Sequence, residues 1–429
     1  VTLASCGALL AGIALVTWYA ATHSMLDFSI YLWGGHAIAG DARLYLTQGY
    51  AHWFTYPPFA AVLFAPIAAL PGAVAGVLWQ LGSVAALAVA CVTTLKLAGY
   101  RPSRTAMVAV VAGALALEPV YHTLYLGQVN LFLLALVLTD VRRASRGRSA
   151  GIGVGLAAAI KLTPAIFVVL FLVTRRTRAA VTASATFACC ALAGYLIAPD
   201  ASRLYWSRLF YDTSRVGAPY ISNQSPYAAL VRILGGTGHV GAWFLLVPLT
   251  IGIIGLATAT LLVRHDDWLG AAAATGVTGL LVSPISWTHH WVWIVPGLVA
   301  VWRAGTRGRI AAAVGYVLFA AAPLWWTPHD GGPREYGFHG LVTVVANCYL
   351  VAGLAFLAFL ACVAMRARAA GRVSMPLPRQ PAAACPEMAA TTSLMAARKP
   401  GSVMVPSGPT HSRETGSRRQ ADSMTSAPT

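Results

Sequence analysis

Acidic residues are scarce in this chain: 13 Asp and Glu stand against 30 Lys and Arg, and only 10% of the 429 residues are charged. A soluble domain of this length would carry about a quarter charged residues, so a soluble globular fold is excluded. The residue-by-residue alternation of a β-barrel is also missing. Instead there are Ala/Leu/Val-rich runs, several reaching the roughly 20 residues that cross a bilayer core as a helix. With 58% hydrophobic residues and a mean hydropathy of +0.67, the chain reads as an all-α polytopic membrane protein. It has no Gly-rich nucleotide loop, no Gly-x-Ser-x-Gly elbow and no His-Glu-x-x-His. The seven cysteines (Cys6, Cys91, Cys189, Cys190, Cys348, Cys362 and Cys385) lack metal-ligand spacing and read as small buried hydrophobes. The net charge of +17 sits in short Arg clusters between apolar runs, which orient helices and predict no nucleic-acid partner. Val1 already lies in an apolar segment with no cleavage signal, which predicts a short cytoplasmic leader ahead of it.

The arginines set a topology. They cluster at Arg101/Arg104, Arg142 to Arg148, Arg175 to Arg178, Arg303 to Arg309 and Arg366 to Arg372, with Arg264 alone. Short Arg-rich loops stay cytoplasmic. With all of these inside, a helix at about 3–22 runs outward, residues 23–56 form an external loop, and a helix at about 73–97 returns. Helices at about 104–118 and 129–141 make an out-and-back pair joined by an external turn at 121–130. The stretch 150–173 has Arg clusters at both ends, which predicts a break at Lys161-Leu162-Thr163-Pro164 and two half-helices that dip in and return. A Lys at such a break is either functional or snorkels to the interface. A helix at about 178–197, the polar segment 199–239, and helices at about 240–263, 268–284, 288–303, 309–327 and 341–365 complete about ten crossings plus short re-entrant or interfacial pieces. Both termini fall in the cytoplasm. Residues 1–365 form the membrane domain. Residues 366–429, rich in Ser, Pro, Thr and Arg, form a basic disordered tail whose start can touch anionic lipid.

In this topology Asp27, Tyr56, Gln128, Asn130, Asn223, Gln224, His289 and His290 all fall outside, and Lys161 reaches that side from mid-membrane. Their convergence predicts one external polar site. Asp27, just past the first helix, either ends that helix or serves the site. Asp140, Asp266 and Asp267 lie inside beside arginines and read as solvated loop acids, not as a metal-binding pair. His289 and His290 beside Trp287, Trp291 and Trp293 also fit an aromatic belt. Adjacent helical residues diverge, so one of the two histidines is expected to face a ligand. An outward-facing site cannot count on nucleotide-activated donors, whereas a donor activated by a lipid phosphate would be at hand. Fixed cations would hold its departing phosphate, and a carboxylate would take the acceptor proton. Lys161 and the histidines supply the cations and Asp27 the base. No metal or other cofactor is expected.

Six elements resemble one family. They are Asp27-Phe28-Ser29-Ile30-Tyr31, Phe54-Thr55-Tyr56-Pro57-Pro58-Phe59, Gly127-Gln128-Val129-Asn130, Lys161-Leu162-Thr163-Pro164, Asn223-Gln224-Ser225 and Ser286-Trp287-Thr288-His289-His290-Trp291. In order and spacing they resemble the polyprenyl-phosphate-sugar-dependent glycosyltransferases of GT-C architecture, and among them the actinobacterial α-mannosyltransferases of glycosyltransferase family 87. These build phosphatidylinositol mannosides and lipomannan in the cell envelope. The resemblance implies a GT-C-like fold, Asp27 as general base, and Lys161 with His289 or His290 around the donor phosphate. It further implies a polyprenyl-phosphate-mannose donor, a lipid-linked mannoside acceptor, and inversion from a β-linked donor to an α-mannoside in the plasma membrane. Two alternatives stay open: a polyprenyl-phosphate-arabinose-dependent arabinosyltransferase, and a transporter or flippase of such lipids. The second is disfavoured because the chain shows one broken helix and no matching partner break.

Overall fold

The computed structural model describes residues 2–369 apart from Ala42 and Ala51. The described residues form helices joined by turns, with no strands among them and two isolated bridges, Gly49 to His52 and Asn223 to Trp287. Cys385 and the tail expected beyond 366 fall outside these residues, except that Arg366 and Arg368 close the last turn of the helix Cys348–Ala369.

Five described helices are long and apolar enough to cross a bilayer: Leu3–Thr22, Gly72–Leu97, Thr177–Ile197, Trp243–Arg264 and Cys348–Arg368. Arg104–Leu115 and Glu118–Leu126 make a sixth span if taken together, though they bend by 74°. Length and composition therefore support five or six crossings where the arginine pattern predicted about ten. The helices Trp268–Val282, Ile294–Trp302 and Gly305–Ala321 form where crossings were expected but are shorter. Only 6% of the first span is buried in protein, against 50% of Gly72–Leu97. The first helix is therefore peripheral, while Gly72–Leu97 runs through the middle of the molecule.

Two expected loops are helical. Residues 23–56 contain the helices Leu26–Ala37 and Arg43–Leu46. Met25 precedes the first of these in extended conformation, and Asp27 sits in its first turn, where the helix dipole favours an acid. Asp27 thus lies beyond the first helix but opens the second. The expected turn at 121–130 is mostly the helix Glu118–Leu126, closed by Gly127 at φ 68°. Glycine is needed there twice over: the left-handed conformation favours it, and a Cβ would stand 2.6 Å from that of Phe28. This close approach sets Gln128 beside the helix that carries Asp27.

The break at Lys161 falls where the arginine pattern put it. The helix Ile152–Ile160 ends at Lys161 in extended conformation, and a 3-10 turn at Thr163–Ala165 leads into Ile166–Val173. Gly151 packs on Ala179 and Ala183, and Gly155 on Ala183 and Thr186. The first half-helix therefore runs in the same direction as Thr177–Ile197. The second runs into that helix through a tight turn closed by Arg176 N to Phe171 O at 2.7 Å, so it runs the opposite way. The two halves form a hairpin with Lys161 at its tip. Asp140 holds its base. Expected as a solvated acid, it is buried and accepts from Gly151 N and Val154 N at 2.9 Å each, capping the first half-helix. Asp267 does behave as a loop acid, capping Trp268–Val282 and pairing with Arg303 at 2.9 Å. The cysteines divide: Cys91 and Cys348 are buried, but Cys189 and Cys362 are exposed on helices long enough to face lipid.

Candidate active site

Asp27 is half-buried, and none of the ion pairs among the described residues includes it. Desolvation by the surrounding protein raises its pKa from 3.8 to about 6, against the opposing pull of the Gln128 side chain and of Lys161, His122 and His52. A carboxylate poised there takes up a proton more readily than an ordinary aspartate. One turn along the same helix face, the Tyr31 hydroxyl donates to Gln128 Oε1 at 2.7 Å. Gln128 Nε2 donates to the Tyr56 hydroxyl at 2.8 Å, and the two phenols are 3.0 Å apart. Each member of this ring of three both donates and accepts, which fixes the amide orientation of Gln128. Burial also holds the Tyr56 phenol well above its ordinary pKa, so it remains a neutral hydroxyl.

The hairpin tip brings the cation. Lys161 Nζ donates to Asn130 Oδ1 at 3.1 Å and to His290 Nε2 at 2.8 Å, and lies 5.8 Å from the centre of the Tyr56 ring. Facing an ammonium, His290 presents a bare Nε2 and carries its own proton on Nδ1. Asn130 is the first residue of the helix Asn130–Ser145. Lys161 thus lies level with the first turn of that helix, at the end near Gln128. Asn130 Nδ2 also donates to the His289 carbonyl at 2.8 Å, which Thr123 Oγ1 reaches at 2.9 Å. The imidazole of His289 stands at 87° to that of His290, 4.7 Å between ring centres. Both of its nitrogens are buried without a partner. The two rings do diverge, but both turn inward: His290 to Lys161 and His289 to His122. From Lys161, Asn130 and His290 a cavity continues along Leu133, Phe167 and Trp293, an apolar lining directly beyond a fixed charge.

Asn223 and Gln224 do not join this group. Both are fully buried, and their side chains are spent on the protein's own backbone. Asn223 donates to Ala218 O and Pro284 O and accepts from Ser286 N and Ser225 N. Gln224 donates to Ile221 O and Ala346 O and accepts from Tyr349 N. They clamp the segment that carries the two histidines. Tyr31, Glu118 and His122 join the polar groups here without having been expected from the sequence. Tyr31 stands four residues after Asp27, on the same helical face. Glu118 and His122 show the same spacing, and His122 Nδ1 meets Glu118 Oε1 at 2.8 Å. Among the described residues no group of three His, Cys, Asp or Glu is placed to hold a metal ion.

A family model, glycosyltransferase family 87, matches residues 54–284. The chain is 32% identical over 353 residues to a polyprenol-phosphate-mannose-dependent alpha-(1-2)-phosphatidylinositol pentamannoside mannosyltransferase of Mycolicibacterium smegmatis, covering 78% of this chain and 85% of the relative. It is 33% identical over 352 residues to a polyprenol-phosphate-mannose-dependent alpha-(1-2)-phosphatidylinositol mannoside mannosyltransferase of Mycobacterium tuberculosis, covering 76% and 82%. No solved structure matches the chain. A family match across more than half of the chain, together with relatives aligned over most of their length, places this all-helical protein in glycosyltransferase family 87.

Proposed function

We propose that the protein transfers mannose from a polyprenyl-phosphate-mannose donor to a phosphatidylinositol mannoside-type lipid acceptor, with inversion and with Asp27 as general base. The observation that carries this reading is the placement of Asp27: a desolvated carboxylate outside the ion pairs among the described residues, in the field of Lys161, in a family 87 chain. The acceptor hydroxyl gives its proton to Asp27 as its oxygen bonds to C1 of mannose. The bond from C1 to the phosphate oxygen breaks, and its electron pair stays on the phosphate. Lys161 faces that growing charge, and positioned cations do most where charge develops. Asn130 and His290 hold the ammonium in place, and the ring of Tyr31, Tyr56 and Gln128 supplies hydroxyl and aromatic surfaces suited to a sugar. Asn223 and Gln224 enter only as the clamp on the histidine segment. We infer a multi-pass plasma-membrane protein of GT-C-like build, the shorter apolar helices completing about ten crossings. The site opens on the external face, and both termini and the basic tail 366–429 are cytoplasmic. The chemistry runs without a metal cofactor.

The test is transfer of labelled mannose from polyprenyl-phosphate-mannose to mannolipids in membranes carrying the wild type or Asp27→Asn. Transfer by the wild type, lost in the variant at equal protein level, supports the reading. Equal transfer by both removes Asp27 from the chemistry, and no transfer by the wild type removes the mannose donor and turns attention to polyprenyl-phosphate-arabinose.

A further inference from the structure

Among the buried carboxylates that the mechanism above leaves unused is Glu118. It is fully buried, and donors from three segments meet it. His122 Nδ1 and Trp325 Nε1 reach Oε1 at 2.8 and 3.0 Å, and the Tyr349 hydroxyl reaches Oε2 at 3.0 Å. In the ion pairs among the described residues its partner is His122. Burying a carboxylate is costly unless donors fill its lone pairs, so this arrangement is built to hold something in place. Since a carboxylate only accepts, His122 must carry a proton on Nδ1. Its Nε2 is left over, and none of the described hydrogen bonds uses it; the ring's contacts to Glu118 and Thr288 both go through Nδ1. The His122 side chain is 17% exposed, so the ring keeps an open edge.

His289 lies against that ring, 5.4 Å away and nearly perpendicular. An imidazole always carries at least one N–H, and both nitrogens of His289 are buried without a partner. A buried donor of this kind is expensive unless a ligand satisfies it. His289 stands 4.7 Å from His290 between ring centres, and His290 meets Lys161 at 2.8 Å, which sets the pair beside the cation of the reaction site. Two imidazoles with unused nitrogens, one of them braced by a buried carboxylate, form a wall suited to an anion.

We propose that His122 takes the donor phosphate as an imidazolium, with Nδ1–H on Glu118 and Nε2–H on one phosphate oxygen, while another oxygen lies toward His289, across from Lys161, and that Glu118 positions His122 for this contact. This rests on the mannosyl-transfer reading above. When the bond from C1 to the phosphate oxygen breaks, the phosphate passes from one negative charge to two, and the proton of the acceptor hydroxyl is on Asp27. A hydrogen bond from His122 therefore strengthens as the bond breaks, which lowers the barrier more than it tightens the bound donor. The same contact should hold the product, polyprenyl monophosphate, more firmly than the donor.

The full-length protein in detergent, with polyprenyl-phosphate-mannose and a phosphatidylinositol mannoside acceptor, allows the test. For His122→Gln, kcat should fall ~10- to 100-fold and inhibition by polyprenyl monophosphate should weaken about tenfold, with the acceptor KM unchanged. Glu118→Gln should move the same two quantities by less, because its amide leaves His122 in place without the charge. A rise in acceptor KM with product inhibition intact would assign His122 to the acceptor and overturn the proposal. A second measurement needs no variant: polyprenyl monophosphate should protect His122 of the wild type from diethylpyrocarbonate, as read by mass spectrometry. Unprotected His122 at saturating polyprenyl monophosphate overturns the proposal. Failure of the wild type to transfer mannose at all would defeat the proposed function instead, so the two failures are distinguishable.

Discussion

Replacing Asp27 with Asn keeps the size of the side chain and removes both its charge and its basicity. Two effects of opposite sign follow. Transfer should fall ~10²- to 10⁴-fold, the usual contribution of a general base. Stability should rise, because the native protein holds this carboxylate at a cost. Desolvation raises the Asp27 pKa from 3.8 to about 6, so the folded state binds the proton more tightly than the unfolded chain. Wild-type stability therefore declines as pH rises from 3.8 through about 6 and stays lower above that window. The cost of the shift is on the order of 1–3 kcal/mol, toward the low end because the carboxylate is partly open to water. The Asn variant is spared this loss and should unfold at higher temperature than the wild type at pH 7, with the difference vanishing near pH 4. The wild-type rate should climb through about pH 6 as the carboxylate forms. The assays are mannose transfer between pH 4.5 and 8 and thermal unfolding of the detergent-solubilised protein. A rate independent of pH over this range, with an Asn variant that is active and no more stable, would refute the argument.

Three other perturbations separate the roles assigned above. Lys161→Met leaves Asn130 Oδ1 and His290 Nε2 without their donor and should cost ~10²- to 10³-fold in transfer, measured at saturating donor and acceptor. Asn223→Ala deletes hydrogen bonds that serve only the backbone. It should destabilise the protein by ~2–4 kcal/mol while leaving the donor KM of the folded fraction unchanged, and a raised donor KM would return Asn223 to the binding site. Mannose transfer in excess chelator should match the untreated rate, since no described cluster offers a metal three His, Cys or acidic ligands; loss of activity restored by Mg²⁺ or Mn²⁺ would contradict this.

The break at Lys161 was legible because two independent signals agreed: arginines flank the apolar stretch on both sides, and Lys and Pro164 interrupt it. Tyr56 meets Gln128, and Lys161 meets Asn130 and His290, a grouping the sequence suggests only through the common side that the arginine pattern assigns to these residues. What sidedness does not carry is whether a polar side chain looks outward or serves its own backbone. Asn223 and Gln224 share the composition of ligand-binding residues, yet their burial and seven hydrogen bonds to backbone groups belong to a clamp. Glu118 and His122 were missed for the converse reason. Tyr, His, Thr and Gly between two apolar runs look like a turn, whereas the chain folds there as a short helix whose polar face is buried by Trp325 and Tyr349. Asp140 shows the same limit, since an acid next to arginines appears solvated until the helix end it caps is seen. Five described helices reach crossing length, and the count of about ten rests on shorter ones such as Trp268–Val282, Ile294–Trp302 and Gly305–Ala321, which apolar length alone does not single out.

The hairpin also acts as a gauge. Lys161 reaches Asn130 and His290 only because nine residues, Ile152–Ile160, separate the capped base at Asp140 from the tip. Adding or deleting one residue in that half-helix would rotate the tip by about 100° and move it ~1.5 Å along the axis, and the base could not slide to compensate, since Gly151 and Gly155 lie in close contact with Ala183. Residue count between two fixed points is therefore a quantity this segment has to keep, alongside Gly151 and Gly155, which let it lie against Ala183.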